Sequence, residues 1–197
     1  MNTGSRFAVD GGFLIIVAAA VVFDAGRLFC VTLIATAAHE LGHYLALRFK
    51  GCSVTRLRLC LTGFDMTYSG ALSYRDEIFS AAAGPAAGLA LMAIAAVAGG
   101  YMRVPALFEL AAVSALLSIF NLLPAYPMDG GRMLYAFIAL RSGERAADRM
   151  VCVSTCAVIL LTLILGANAL LRYGRGFMLI AAAVWLAAYR FIPRRSR

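Results

Sequence analysis

The chain has 197 residues, of which 62% are hydrophobic and only 14% charged, and its 18 basic against 10 acidic residues give a formal net charge of +8. An ordinary soluble domain is excluded, because about a quarter of its residues would be charged. The composition is that of a chain whose solvent is lipid.

Crossing a hydrocarbon layer of about 30 Å takes about 20 apolar residues as a helix. Six such runs are readable, near 11–24, 28–49, 78–100, 105–123, 151–171 and 176–192. The first has the position of a secretory signal. No A-x-A cleavage site follows it, however, and Asp24-Ala25-Gly26-Arg27 has the make-up of a tight turn, so it is read as a retained span. Taken in order, the spans put the N-terminus, the 50–77 and 124–150 connections and the C-terminus on one side. Arg6, Lys50, Arg56, Arg58, Arg75, Arg132, Arg141, Arg145, Arg149, Arg194, Arg195 and Arg197 fall there, with Arg48 and Arg190 at its edge, whereas Arg27, Arg103, Arg172 and Arg175 fall on the other side. The positive-inside rule makes the first side cytoplasmic, with both termini on it. The excess charge is therefore a topology signal. Arginines scattered over connections do not form a basic face, and no nucleic-acid partner is expected. The five cysteines contain no C-x-x-C pair and read as small apolar fillers. The expected fold is an all-α polytopic membrane protein of about six transmembrane helices. One membrane-embedded domain spans 1–197, with a catalytic core over 28–140 and two additional C-terminal spans over 151–192.

Within the second span, TAAHELGHYLALRF (36–49) holds His39, Glu40 and His43, and these are the chain's two histidines. Residues four apart share a helix face one turn apart, so the imidazoles can chelate a single ion, with Glu40 turned about 100° toward the flank of that face. Two histidines at this spacing hold zinc, and the carboxylate between them can take a proton from water and return it to a leaving amine. Titratable groups inside a membrane span are costly enough to imply function. The alternative is a pair of histidines that only hydrogen-bond within a bundle.

A catalytic zinc site has three protein ligands and water, and here the third ligand cannot be histidine. Most carboxylates lie at span ends or in connections. Asp129 stands out in FNLLPAYPMDGGR (120–132), where Pro124 and Pro127 deny the helix its continuation and Gly130-Gly131 permit unusual backbone. By the topology above it lies at a depth similar to His43. Its other reading, an N-cap for a helix beginning near Arg132, stays open beside the ligand role.

Between the second and third spans, residues 54–70 alternate apolar and polar side chains on either side of Gly63, which predicts a small β-hairpin. An exposed strand edge can hold a peptide extended by strand addition. The alternative is an amphipathic ribbon resting on the membrane face.

HELGH and NLLPAYPMDGG together resemble the site-2 protease family of intramembrane zinc metalloproteases, over residues of about 28 to 140. The resemblance implies zinc held by His39, His43 and Asp129, Glu40 as catalytic base, and Asn121 positioning the substrate or its oxyanion. It also implies a hairpin near the active site, whose Gly63 and Phe64 would contact the substrate. The short chain is most similar to the subgroup of the sporulation protease that matures a late mother-cell sigma factor. That similarity implies a bacterial-type cell membrane, a membrane-associated protein substrate such as a pro-sigma or anti-sigma factor, and a possible regulatory membrane protein. In AAAGPAAG (81–88), Gly88 stands where many relatives carry asparagine, and Gly84 with Gly88 forms a G-x-x-x-G pair suited to close helix approach. A membrane zinc transporter would use the same ligands but is expected to show repeated halves with matching broken helices, which are not legible here. An inactive protease-like scaffold would be expected to lack Glu40 or a ligand.

Overall fold

The computed structural model describes residues 7–9, 26–60, 63–70 and 72–191. The run 11–24 and residues 61–62, within the stretch read as a hairpin, lie outside them. The chain divides into two compact units, Met1–Ile119 and Phe120–Arg197, and the boundary falls inside the 28–140 stretch read from sequence as one core.

The first unit carries β1 (Phe7–Val9), α1 (Gly26–Phe49), β2 (Ser53–Cys60), β3 (Gly63–Ser69), α2 (Tyr74–Met102) and α3 (Pro105–Asn121), the last running just past the boundary. The second carries α4 (Asp129–Ser142), α5 (Glu144–Tyr173) and α6 (Phe177–Phe191). With 24, 29 and 30 residues, α1, α2 and α5 are long and apolar enough to cross a membrane; at 1.5 Å per residue each exceeds the roughly 30 Å of hydrocarbon. Helix α3 and residues 177–188 of α6 are apolar but shorter.

Helix α2 begins where its sequence provides a start signal. Ser73 Oγ accepts the Asp76 N–H at 3.2 Å, and Asp76 and Glu77 place negative charge in the first turn, which satisfies an orphan donor and complements the helix dipole. Lys50, just beyond α1, reaches Asp76 at 2.7 Å and lies over the Phe79 ring at 5.0 Å from its centroid. The end of α1 is thereby tied to the start of α2.

Deeper in this unit the two helices meet on small residues. A Cβ on Gly42 would meet the Ala83 carbonyl and, at 2.8 Å, the Ala87 methyl. Lipid is as apolar as leucine, so helix association in a membrane rests on such close packing and not on a hydrophobic drive. Gly84 and Gly88 serve two different neighbours. The missing side chain of Gly84 makes room for His43 on α1, and that of Gly88 makes room for the Ser118 hydroxyl on α3.

The sheet has strand order β1-β2-β3. Strands β2 and β3 run antiparallel from Ser53↔Ser69 to Cys60↔Gly63, with an irregularity between Val54 and Arg56, and β1 pairs parallel to β2 through Phe7↔Leu57 to Val9↔Leu59. The sequence gives no warning of β1, because three residues are too few to display an alternation.

In the second unit, Gly166 of α5 lets Ile180 and Leu179 of α6 approach; a Cβ there would meet Ile180 Cγ1 at 2.8 Å. The charged stretch 141–150, read from sequence as a connection, is largely helical. Only Gly143, at φ 81°, interrupts the path from Ser142 to Glu144. Glu, Arg, Ala and Met are good helix formers, and Glu144 in the first turn suits the dipole; polarity marked a wet surface but not a loop.

The α1–α2 contact should be sensitive to volume and insensitive to surface charge. Gly42→Val is expected to destabilise the protein by about 1–3 kcal/mol through overpacking. Arg27→Gln, which removes an exposed 2.6 Å pair with Glu109, should cost no more than about 1 kcal/mol. Thermal unfolding in detergent compares the two.

Candidate metal centre

Helix α1 places His39 and His43 on one buried face, with 3% and 7% of their surfaces exposed, and Glu40 half-buried beside them. The His43 Nδ1–H donates to the Ser80 carbonyl of α2 at 2.8 Å. A carbonyl can only accept, so this bond fixes the tautomer and leaves a lone pair on Nε2. That nitrogen lies 3.2 Å from His39 Nε2, the rings meeting edge to face with centroids 4.9 Å apart.

This is how a zinc-binding pair should look. Two nitrogens each about 2.0–2.1 Å from a tetrahedral ion are separated by roughly 3.3 Å. A backbone carbonyl on the far ring nitrogen is the usual device for orienting a ligating histidine. Gly84 is what allows it. One turn beyond Ser80, a Cβ at that position would run into the His43 imidazole, so only glycine lets α2 pass under the ring. Pro85 follows, leaving the Ala81 carbonyl without its helical donor and loosening this turn of α2.

In the second unit, Asp129 is 6% exposed and is the first residue of α4. The sequence alternative of an N-cap is corrected in detail. Met128 occupies the cap position without a side-chain bond, and the helix starts three residues before Arg132. Asp129 therefore has its carboxylate in the first turn, where the dipole favours negative charge, and Arg132 Nη1 reaches Oδ1 at 3.4 Å. The backbone ahead of it is irregular from Leu122 to Met128 and includes a cis Tyr126–Pro127 peptide. A Cβ on Gly130 would strike the Leu122 and Leu123 carbonyls, so glycine is needed for this fold of the chain.

His39 and His43 of the first unit and Asp129 of the second are each buried, and each offers one atom of the kind that ligates a metal ion. Of the residues expected to contact substrate, Asn121 is half-buried at the end of α3, and Gly63 and Phe64 begin β3, paired with Cys60 and Leu59. Sequence reasoning missed the part played by Ser80, since a backbone carbonyl carries no side-chain signature; the Gly84 spacing was the available clue.

Two buried histidines on an H-E-x-x-H helix, within a scaffold whose longest helices are apolar enough to cross a membrane, point to the class of membrane-embedded metal-binding proteins. Comparison with known proteins gives the family. Residues 102–165 match the profile described as Peptidase family M50. Over 159 residues the chain is 35% identical to the putative zinc metalloprotease Rip3 of Mycobacterium tuberculosis, an alignment covering 76% of this chain and 39% of that protein. It is 26% identical over 121 residues to zinc metalloprotease MJ0392 of Methanocaldococcus jannaschii, covering 59% of this chain and 35% of that protein. The chain thus spans about two fifths or less of the length of these relatives. In fold it is similar to a solved structure, the site-2 protease from Methanocaldococcus jannaschii, with a TM-score of 0.70 at 18% identity over 100% of this chain and 97% of that one. The family these likenesses point to is M50, the site-2 protease family of zinc metalloproteases.

Gly84→Ala is expected to drive a methyl into the His43 ring, costing about 1–3 kcal/mol and lowering bound zinc per chain. Gly100→Ala, a helical site with nothing within 4 Å, should be neutral or stabilising by up to about 1 kcal/mol. Thermal unfolding and elemental analysis of the purified variants read both effects.

Proposed function

We propose that this protein is an intramembrane zinc metalloprotease that cleaves peptide bonds of transmembrane or membrane-associated regulatory proteins. A membrane-tethered pro-sigma or anti-sigma factor is the type of substrate that the sporulation subgroup implies. The observation that carries the reading is the buried pair His39 and His43, whose Nε2 atoms face each other at 3.2 Å on a helix that also bears Glu40; Asp129, buried at the start of α4, is the third ligand of the proposal. In this reading the chain crosses the membrane six times with both termini cytoplasmic, and a regulatory membrane protein governs access.

His39, His43 and Asp129 hold the zinc. When bound, the ion supplies Lewis acidity that polarises a scissile carbonyl and lets water react near neutral pH. Glu40 is one residue from a ligand and half-buried, a position suited to taking the proton from the attacking water and delivering it to the departing amine. A peptide bond inside a helix is engaged in the helix's own hydrogen bonds, so a substrate must be extended first. Strand β3 lies at the edge of the sheet order and offers its outer backbone groups for that, starting from Gly63 and Phe64. Asn121 at the end of α3 steadies the substrate carbonyl.

Glu40→Gln separates chemistry from binding. Zinc content should stay at the wild-type level while cleavage of a co-expressed membrane precursor falls by at least about 10²–10⁴-fold, the contribution of a positioned proton-transfer group. Asp129→Ala should lose both zinc and activity. Wild-type cleavage by Glu40→Gln would overturn the protease mechanism and favour zinc transport through the same ligands.

A further inference from the structure

Asp129 opens α4, and the turn before it decides where it stands. Within the second unit that turn is held by backbone bonds: Leu123 N–H to the Phe120 carbonyl at 3.2 Å, Ala125 N–H to Leu123 at 2.8 Å, Met128 N–H to Ala125 at 2.8 Å and Arg132 N–H to Met128 at 3.1 Å. The Tyr126 N–H points elsewhere. It donates to Thr155 Oγ1 on α5 at 3.0 Å. Thr155 is fully buried, and its own hydroxyl proton goes to the Val151 carbonyl at 2.6 Å. With the proton committed within the helix, the oxygen's lone pair is presented to the turn.

A threonine in an apolar span can satisfy itself by the bond to the preceding helical turn alone. Thr162, two turns along, makes that bond to Val158 at 2.7 Å. The second bond of Thr155 thus has a separate effect, which is to moor the turn to α5. Gly131 passes the restraint to the metal side: a Cβ there would meet the Ala125 carbonyl carbon at 2.5 Å and Tyr126 N at 2.7 Å. The first turn of α4 therefore rests directly on the peptide that Thr155 holds, and Asp129 lies in that first turn.

We infer that Thr155 is a positioning residue for the metal centre, holding the Ala125–Met128 turn so that the Asp129 carboxylate stays aimed as a ligand. The inference rests on the reading of Asp129 as a zinc ligand. It extends the centre to a helix that supplies no ligand itself.

The test uses the full-length chain in detergent, with zinc affinity from chelator competition and the visible spectrum of the cobalt-substituted protein as a report on ligand geometry. Thr155→Val keeps the side-chain shape without the hydroxyl. It should weaken zinc binding about tenfold, the lower end of the roughly 10–100-fold range for groups behind metal ligands, and alter the cobalt spectrum. Thr155→Ser should restore both, and Thr162→Val should match wild type. Asp129→Ala is measured alongside. If it loses affinity while Thr155→Val does not, the inference is overturned and the ligand assignment stands. If Asp129→Ala binds zinc as wild type does, the ligand assignment falls and the inference with it. Should Thr155→Val not fold, Thr155→Ala serves in its place, and wild-type affinity in that variant overturns the inference equally.

Discussion

The hydrogen bond from His43 Nδ1 to the Ser80 carbonyl, 2.8 Å long and shielded from water, is the contact on which the first unit's contribution to the site depends. It can form only if α1 and α2 lie close enough for an imidazole to fit between them. That closeness requires glycine at 84 under the ring and glycine at 42 against Ala83 and Ala87. An unpaired imidazole nitrogen in this environment would carry a desolvation penalty of about 1–3 kcal/mol, so the bond both holds the helices and directs the remaining nitrogen. Packing and ligand orientation are one arrangement here, and a change that loosens the first must disturb the second.

The metal-binding pattern was legible because it is written in side chains at a helical spacing. His39, Glu40 and His43 are rare residue types in an apolar run, and Asp129 stood out by its Pro- and Gly-rich setting. The helices were legible as apolar length: α1, α2, α3, α5 and α6 overlap the runs read at 28–49, 78–100, 105–123, 151–171 and 176–192, and α1, α2 and α5 are long enough to cross a membrane. What escaped is what backbone groups do. The Ser80 carbonyl, the Tyr126 N–H and the pairing of Phe7–Val9 with β2 involve atoms that every residue possesses, so no residue type announces them. Residues 144–150 escaped for a different reason. Charge reports exposure, and an exposed segment can be as regular as a buried one.

Four hydroxyl groups in the helices are satisfied in the same way. Thr32, Ser118, Thr155 and Thr162 each donate a hydroxyl proton to the carbonyl four residues back, so none of these protons is left unsatisfied in an apolar setting. The same bond has different results according to what faces the oxygen. For Thr155 the oxygen meets a backbone N–H. Ser118 instead turns its oxygen toward the backbone of Gly88, where the neighbouring helix has no side chain to offer.

That last contact ties two distant positions to one volume. A side chain of any size at 88 would occupy the space that the Ser118 hydroxyl now fills, and a smaller residue at 118 would leave a void opposite glycine. The two positions therefore share one space: a larger residue at 88 is accommodated by this helix pair when position 118 gives way, by rotation of its hydroxyl or by a smaller side chain, and glycine opposite serine is one way of dividing that volume across the α2–α3 seam.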